Sequence, residues 1–68
     1  MERLEAFEKM LADIEKQAAY EKQKMEELRK AGKEKSATYR QYLGNRMLYR
    51  MMLERYKTYG LLDRNTEI

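Results

Sequence analysis

The stretch AGKEKSATYRQ, residues 31–41, separates two helical patterns. Gly32 is the residue type expected just after a helix, because glycine adopts the left-handed backbone conformation without a steric cost. Ser36 or Thr38 can cap the start of a second helix, and Thr38 with Gln41 fits a capping box. A connection this short holds the two flanking helices antiparallel, as a helical hairpin.

The residues before this stretch carry an apolar heptad pattern. With Leu4 at heptad position a, seven of the eight a and d positions are apolar, and Glu21 is the single polar one. The a positions are Leu4, Leu11, Ala18 and Met25, and the d positions are Phe7, Ile14, Glu21 and Leu28. Such a seam is typical of a helix that packs along another helix. It predicts a first helix over about residues 2–31.

The residues after the stretch form a second helical pattern with two apolar arcs. It runs from about residue 37 to residue 59 and ends at Gly60, a second candidate for a left-handed residue after a helix. The first arc holds Tyr42, Asn45, Leu48, Tyr49, Met52, Leu53, Tyr56 and Tyr59. The second arc holds Leu43, Gly44, Met47 and Met51. One neighbouring helix cannot cover both arcs, so we expect this helix to be buried on more than one side.

The size of the chain favours self-association. A domain of 68 residues buries only about 60% of its unfolded surface, and such domains often rely on disulfides, metals or oligomerisation. Cys and His are both absent, which excludes disulfides and the usual zinc sites. We therefore predict an all-α protein, an antiparallel helical hairpin over residues 1–62 that self-associates as a dimeric four-helix bundle. Its turn covers residues 32–36, and residues 63–68 have no period and are expected to form a loose tail.

The second helix supplies the predicted oligomer or partner interface. Its methionines adapt to irregular surfaces, and its tyrosines are of a type that is frequent in protein–protein hot spots. The predicted interface residues are Leu43, Gly44, Met47, Leu48, Met51, Met52, Tyr56 and Tyr59. An antiparallel register about residue 34 brings Glu21 level with Asn45 and Arg46. We expect Glu21 and Arg46 to form an ion pair that fixes this register.

The residue types leave little room for catalysis. Without His or Cys, the reactive groups are carboxylates, lysines and tyrosines, and only Glu21 is expected to point into the helix seam. No phosphate-binding loop, nucleophile motif or dinucleotide fingerprint occurs. We predict a protein that is not an enzyme and that has no catalytic residues, metal sites or cofactors.

The charge distribution supports an alternative, nucleic-acid binding. Residues 1–34 hold eight Lys/Arg and nine Asp/Glu, a balance of −1, whereas residues 35–68 hold seven and three, a balance of +4. Arginines among tyrosines can contact phosphates while the tyrosines stack on bases. The residues predicted to make these contacts are Arg40, Arg46, Arg50, Arg55 and Lys57. Under the first interpretation, the arginines instead line a protein interface and pair with carboxylates of the first helix.

Together these patterns predict a small cytoplasmic regulator or adaptor that binds itself, as a dimer, and another protein through its second helix. A hairpin dimer that binds RNA or DNA is one alternative, and a mobile-element inhibitor or accessory factor of a nucleic-acid enzyme is another. The start of the chain is charged and has no apolar signal core, and no apolar run reaches the ~20 residues that span a bilayer. Membrane association is therefore not expected.

In size and layout, the predicted hairpin resembles the Rop family of small RNA-binding hairpins, which dimerise into four-helix bundles. The resemblance covers most of the chain but includes no motif that can be aligned, so no residue role carries over from it. The response-regulator-binding hairpins of sporulating bacteria have a similar size, but their Ser-Gln-Glu-Leu-Asp signature is absent.

Overall fold

Two helices packed against each other make up the fold. The computed structural model describes residues 2–67, with helix α1 at Arg3–Lys30 and helix α2 at Ala37–Thr58, and no strand within that range. Both helices end within one residue of the predicted ends. The longest dimension of the hairpin is 43 Å, which matches the roughly 42 Å expected for the 28 residues of α1 at 1.5 Å per residue. The predicted all-α hairpin is confirmed.

Both helices end in the same hydrogen-bonded motif around a glycine. Gly32 and Gly60 each have a φ of 73°, the left-handed conformation that glycine adopts freely. After α1, the Lys33 amide donates to the Leu28 carbonyl at 2.8 Å, and the Gly32 amide donates to the Arg29 carbonyl at 3.0 Å. The same two bonds recur after α2, with distances of 2.9 and 3.0 Å. These bonds satisfy carbonyls that the helix ends leave free, so both ends are fixed locally.

Ser36 caps the start of α2. Its Oγ accepts a hydrogen bond from the Tyr39 amide at 3.2 Å. The alternative capping box between Thr38 and Gln41 is not formed, because Thr38 lies inside the helix and the Gln41 amide donates to Asn45 Oδ1 at 3.0 Å. Since the cap of α2 lies only six residues after α1, the helices must run antiparallel.

The core of the hairpin is small. Among the described residues, the buried apolar side chains are Ala18, Met25 and Leu53, of which Leu53 is the least exposed at 2%. At the open end of the hairpin, the Phe7 and Tyr56 rings pack edge to face with their centroids 5.1 Å apart. A core of this size is consistent with the limited burial expected for so short a chain.

The segment after α2, residues 61–67, is mostly exposed but contains a turn and two half-buried residues. Leu62 and Thr66 are half-buried, and Glu67 borders a pocket between α1 and α2. A turn reverses the chain, with the Thr66 amide donating to the Asp63 carbonyl at 3.1 Å. The Asp63 carboxylate also accepts from the Asn65 amide at 3.3 Å. Residue 68 of the predicted tail lies outside the described residues.

Neither helix of residues 2–67 is long and apolar enough to cross a membrane.

Candidate functional site

An apolar strip covers the side of α2 that faces away from α1. We call it the outward strip, and it consists of Leu43, Gly44, Met47, Leu48 and Met51. Leu43, Met47 and Met51 recur at four-residue spacing, and their exposed fractions are 43%, 60% and 69%. At 3.6 residues per turn, Met47 points about 160° away from Tyr49, which bonds to α1. The hairpin therefore cannot bury its own outward strip.

Contiguity distinguishes the outward strip from ordinary exposed apolar residues. Single exposed leucines are normal on protein surfaces, whereas large contiguous apolar patches are uncommon on soluble monomers. Leu43, Met47 and Met51 form one ridge along the helix, and Leu48, 54% exposed, lies beside it. Methionine side chains are flexible and polarisable, so such a ridge adapts readily to an apolar partner.

The structure divides the predicted interface residues between two sides of α2. The outward strip contains Leu43, Gly44, Met47, Leu48 and Met51. Tyr59 is 72% exposed at the end of α2. Met52 and Tyr56 are half-buried on the side that faces α1, where the Tyr56 hydroxyl lies 3.9 Å from the Met10 sulfur. Those two residues therefore support the hairpin.

The arginines of α2 make no ion pair with α1. The three ion pairs within residues 2–67 all join residues three apart on one helix: Lys24 with Glu27, Arg29 with Glu26, and Lys57 with Glu54. The expected pairing of the α2 arginines with first-helix carboxylates is therefore not formed. Arg40, Arg50 and Arg55 are exposed, and Arg46 is half-buried.

Glu21 is the buried polar residue of the helix seam, as its heptad position predicted. It is only 4% exposed. Its carboxylate accepts hydrogen bonds from Gln17 Nε2 at 2.7 Å, from Asn45 Nδ2 at 3.1 Å and from the Tyr49 hydroxyl at 3.0 Å. Two of these donors belong to α2, so the carboxylate ties the helices together in one register. Bonds of this kind are stronger than those between neutral groups, because the acceptor is charged.

The predicted ion pair between Glu21 and Arg46 is not among the ion pairs of residues 2–67. Asn45 and Tyr49 take the place that was expected for Arg46. The Arg46 Nε atom is buried without a hydrogen-bond partner within the described range. The register device is thus a hydrogen-bonded carboxylate rather than an ion pair. The predicted register had already placed Asn45 level with Glu21, so the correction concerns the partner and not the register.

The environment of this cluster also changes the pKa of the Tyr49 hydroxyl. Burial raises the pKa of the Tyr49 hydroxyl, and its hydrogen bond to the negative Glu21 carboxylate raises that pKa further. Both causes favour the protonated hydroxyl, which is the form that donates. Tyr49 therefore remains a hydrogen-bond donor to Glu21 at neutral pH.

A pocket of about 280 Å³ lies beside this cluster, between the helices. Its apolar wall includes Ala18, Met25 and Tyr42, and its charged rim includes Lys22 and Glu67. Within residues 2–67, no group of three acidic, His or Cys side chains is arranged to hold a metal ion. Since the Glu21 carboxylate is already bonded to three donors, the cluster is suited to holding the hairpin together rather than to chemistry.

Sequence reasoning missed Gln17 and Tyr49 as partners of Glu21. Gln17 precedes Glu21 by four residues on α1, a spacing that brings side chains into contact. Tyr49 follows Asn45 by four residues on α2, so both side chains lie on the same face of the helix and can reach Glu21. Both four-residue spacings can be seen in the sequence, but an arginine level with Glu21 was the more obvious partner for a carboxylate.

A scan against protein-family models finds no match for this chain, and searches of curated proteins and of solved structures find no significant match. The resemblance to the Rop family is therefore limited to size and layout. What the chain does must be argued from its own surface.

Proposed function

We propose that this chain is a non-enzymatic interaction protein, a regulator or adaptor that acts by binding protein through the outward strip of α2. The observation that carries the proposal is the ridge of Leu43, Met47 and Met51, exposed along the side of α2 that the hairpin leaves uncovered. Covering this ridge removes apolar surface from water, which is the main driving force of association.

Because the core is small, binding of a partner should also stabilise the folded hairpin. A partner that binds only the folded hairpin stabilises it by mass action, and a hairpin with few buried apolar residues gains more from this than a larger domain does. We therefore propose that folding and association are coupled. The four-helix dimer predicted from the sequence is the simplest assembly that couples them.

Site-specific photo-cross-linking in the native host tests this proposal. A photoreactive amino acid replaces Met47 in one variant and Leu4 in another, since both residues are exposed and apolar but only Met47 belongs to the outward strip. We expect a protein adduct of discrete mass from position 47 and none from position 4. The adduct should disappear when Leu43→Gln and Leu48→Gln are added.

The matched control keeps the number and type of changes constant. Leu4→Gln with Leu61→Gln also replaces two leucines, which are 57% and 52% exposed but lie outside the outward strip. This pair should leave the adduct from position 47 intact. Adducts to nucleic acid, or equal labelling from both positions, would contradict the proposed function.

One observation favours nucleic-acid binding as a second candidate. Arg40, Arg50 and Arg55 are exposed and belong to none of the ion pairs of residues 2–67, so they are available to phosphates. Against this, Glu67 shares a surface pocket with Arg50 and Lys57 and places negative charge among them.

Salt dependence separates the two candidates. Neutralising 6–10 phosphates makes affinity fall by roughly 10³–10⁵ between 50 and 200 mM salt. If the chain binds nucleic acid, a gel shift with generic RNA and DNA should show this fall, and Arg50→Glu with Arg55→Glu should abolish the shift while helicity is kept. The proposed function instead predicts no shift near physiological salt in the wild type.

A further inference from the structure

Two opposite charges lie symmetrically about the centre of the outward strip. Arg40 precedes Met47 by seven residues and Glu54 follows it by seven, and both charged residues lie on the same side of α2 as Met47. The Glu54 side chain is 74% exposed, and it is the one acidic residue of α2. Its ion pair with Lys57, at 3.3 Å, leaves carboxylate oxygen free to accept further hydrogen bonds.

This spacing is self-complementary. If two α2 helices lie antiparallel with a twofold axis level with Met47, residues equally distant from Met47 in opposite directions meet across the contact. Arg40 of one copy then lies level with Glu54 of the other, and the symmetry repeats this pair at the far end. Between the two pairs, Leu43 of one copy lies level with Met51 of the other.

We propose that the outward strip binds a second copy of this chain, with the two α2 helices antiparallel and a twofold axis at Met47, so that Arg40 of each copy pairs with Glu54 of the other. This inference rests on the proposed function and names the partner of the same strip. Apolar ridges with oppositely charged ends help helices select orientation and partner, because the parallel in-register alignment would place Arg40 on Arg40 and Glu54 on Glu54.

Gly44 provides an independent reason to place another chain here. It lies in the middle of α2, where glycine favours the helix less than alanine does. A Cβ at this position would meet nothing within 4 Å, so the hairpin itself does not require a glycine. In the proposed dimer, Gly44 lies level with Arg50 of the second copy. The missing side chain lets the second helix approach more closely at this level.

The position of the outward strip also fixes the order of the helices. Because it lies on the side of α2 opposite α1, the second copy adds to the far side of α2. The dimer is then a row in which α2 of each copy is central and α1 of each copy is outermost. This differs from a compact square bundle, in which each helix would contact two neighbours about 90° apart.

Charge reversal with sedimentation equilibrium tests the pairing. Arg40→Glu and Glu54→Arg each place like charges at both ends of the contact, so each variant alone should have a dissociation constant about tenfold or more above that of the wild type. The chain that carries both changes restores opposite charges and should dimerise like the wild type. Arg55→Glu, an exposed arginine outside the pairing, is the matched control and should change little.

Mixing the two single variants gives the sharpest result. In a heterodimer of Arg40→Glu with Glu54→Arg, both ends carry opposite charges, so the mixture should form dimers that neither variant forms alone. Far-UV circular dichroism on each variant confirms that the helices are kept. Failure of the double change and of the mixture to restore dimers would overturn the antiparallel pairing.

The outcomes distinguish this inference from the proposed function. If the photo-cross-link from position 47 joins a different protein and the purified chain is a monomer, the second copy is wrong and the interaction surface stands. If position 47 gives no protein adduct and the chain is a monomer, both fail.

Discussion

The two sides of α2 have similar residue types but opposite roles. The side facing α1 carries Leu53, buried to 2% exposure, and it carries Asn45 and Tyr49, which both donate to the Glu21 carboxylate. The outward strip carries exposed apolar side chains with no polar contact to α1. The inward side thus has directional bonds that fix one register, whereas the outward strip has an apolar ridge with symmetric charges. If the outward strip binds a second copy as proposed, hairpin formation and association should be separable by mutation.

The largest expected effect comes from the core of the inward side. Leu53→Ala should destabilise the hairpin by about 2–5 kcal/mol, because it removes buried methyl groups and leaves a cavity. For so small a domain, this change is expected to unfold most of the chain at 25 °C. Urea unfolding followed by circular dichroism measures it.

Leu48→Ala is the matched control for that loss. It makes the same chemical change on the same helix, at a residue that is 54% exposed. At a protein concentration too low for association, its stability should stay within about 0.5 kcal/mol of the wild type. Equal destabilisation by the two changes would mean that the inward and outward sides of α2 are not distinct.

The next largest effect concerns the buried carboxylate. Glu21→Leu should cost about 1–3 kcal/mol, because it leaves the Asn45 and Tyr49 donors without their acceptor in a half-buried site. The control is Glu8→Leu, an exposed glutamate of the same helix, and it should be nearly neutral. An unchanged or increased stability of Glu21→Leu would show that burying the carboxylate costs as much as its three hydrogen bonds contribute.

The hairpin was predictable because its determinants are local. Gly32, Ser36 and Gly60 fix the helix ends through bonds that span only a few residues, so they can be recognised without tertiary structure. The heptad pattern identified Glu21 as the polar residue of the seam for the same reason. The turn within residues 61–67 was not predicted, because that segment has no periodic pattern and its hydrogen bonds are local.

Two details of the site were harder to predict. They are the side of α2 on which a residue lies and the residue that bonds to Glu21. The two arcs of α2 were recognised, but Leu48 was placed in the first arc beside the buried Leu53, whereas it is 54% exposed. The predicted register placed both Asn45 and Arg46 level with Glu21, but Arg46 was the wrong choice of partner, and Asn45 bonds to the carboxylate instead. That choice depends on the packing of whole side chains, and residue type alone does not encode it.

Gly44→Ala should stabilise the hairpin but weaken the proposed dimer. The hairpin should gain about 0.5–1 kcal/mol, because alanine favours the helix and its Cβ meets nothing within 4 Å. Association should weaken, because the added methyl group lies where the second copy approaches. Thermal unfolding at low concentration and sedimentation equilibrium at high concentration measure the two effects. A tighter dimer would show that the second copy does not approach closely at Gly44.

The smallest expected effect is on alkaline stability. Because the pKa of Tyr49 is raised above its ordinary value of 10.0 in the folded chain, its stabilising contribution is complete below pH 10 and is lost as the pH rises through the raised value. Tyr49→Phe should therefore lower stability at pH 8 and reduce its fall above pH 10. Tyr20→Phe, at an exposed tyrosine of α1, is the control and should lower stability at pH 8 by less than Tyr49→Phe does.

A distance between two copies tests most directly whether the outward strip is a symmetric contact. The chain has no cysteine, so Thr58→Cys provides one site for a spin label at the exposed end of α2, eleven residues from Met47. Antiparallel helices with a twofold axis at Met47 place the two labels about 35 Å apart, from 1.5 Å per residue and a helix separation of 8–10 Å. We predict that distance by pulsed electron spin resonance, and its loss when Leu43→Gln and Leu48→Gln are added. A distance under about 20 Å, or no interchain distance at a concentration where the chain is a dimer, would contradict the account.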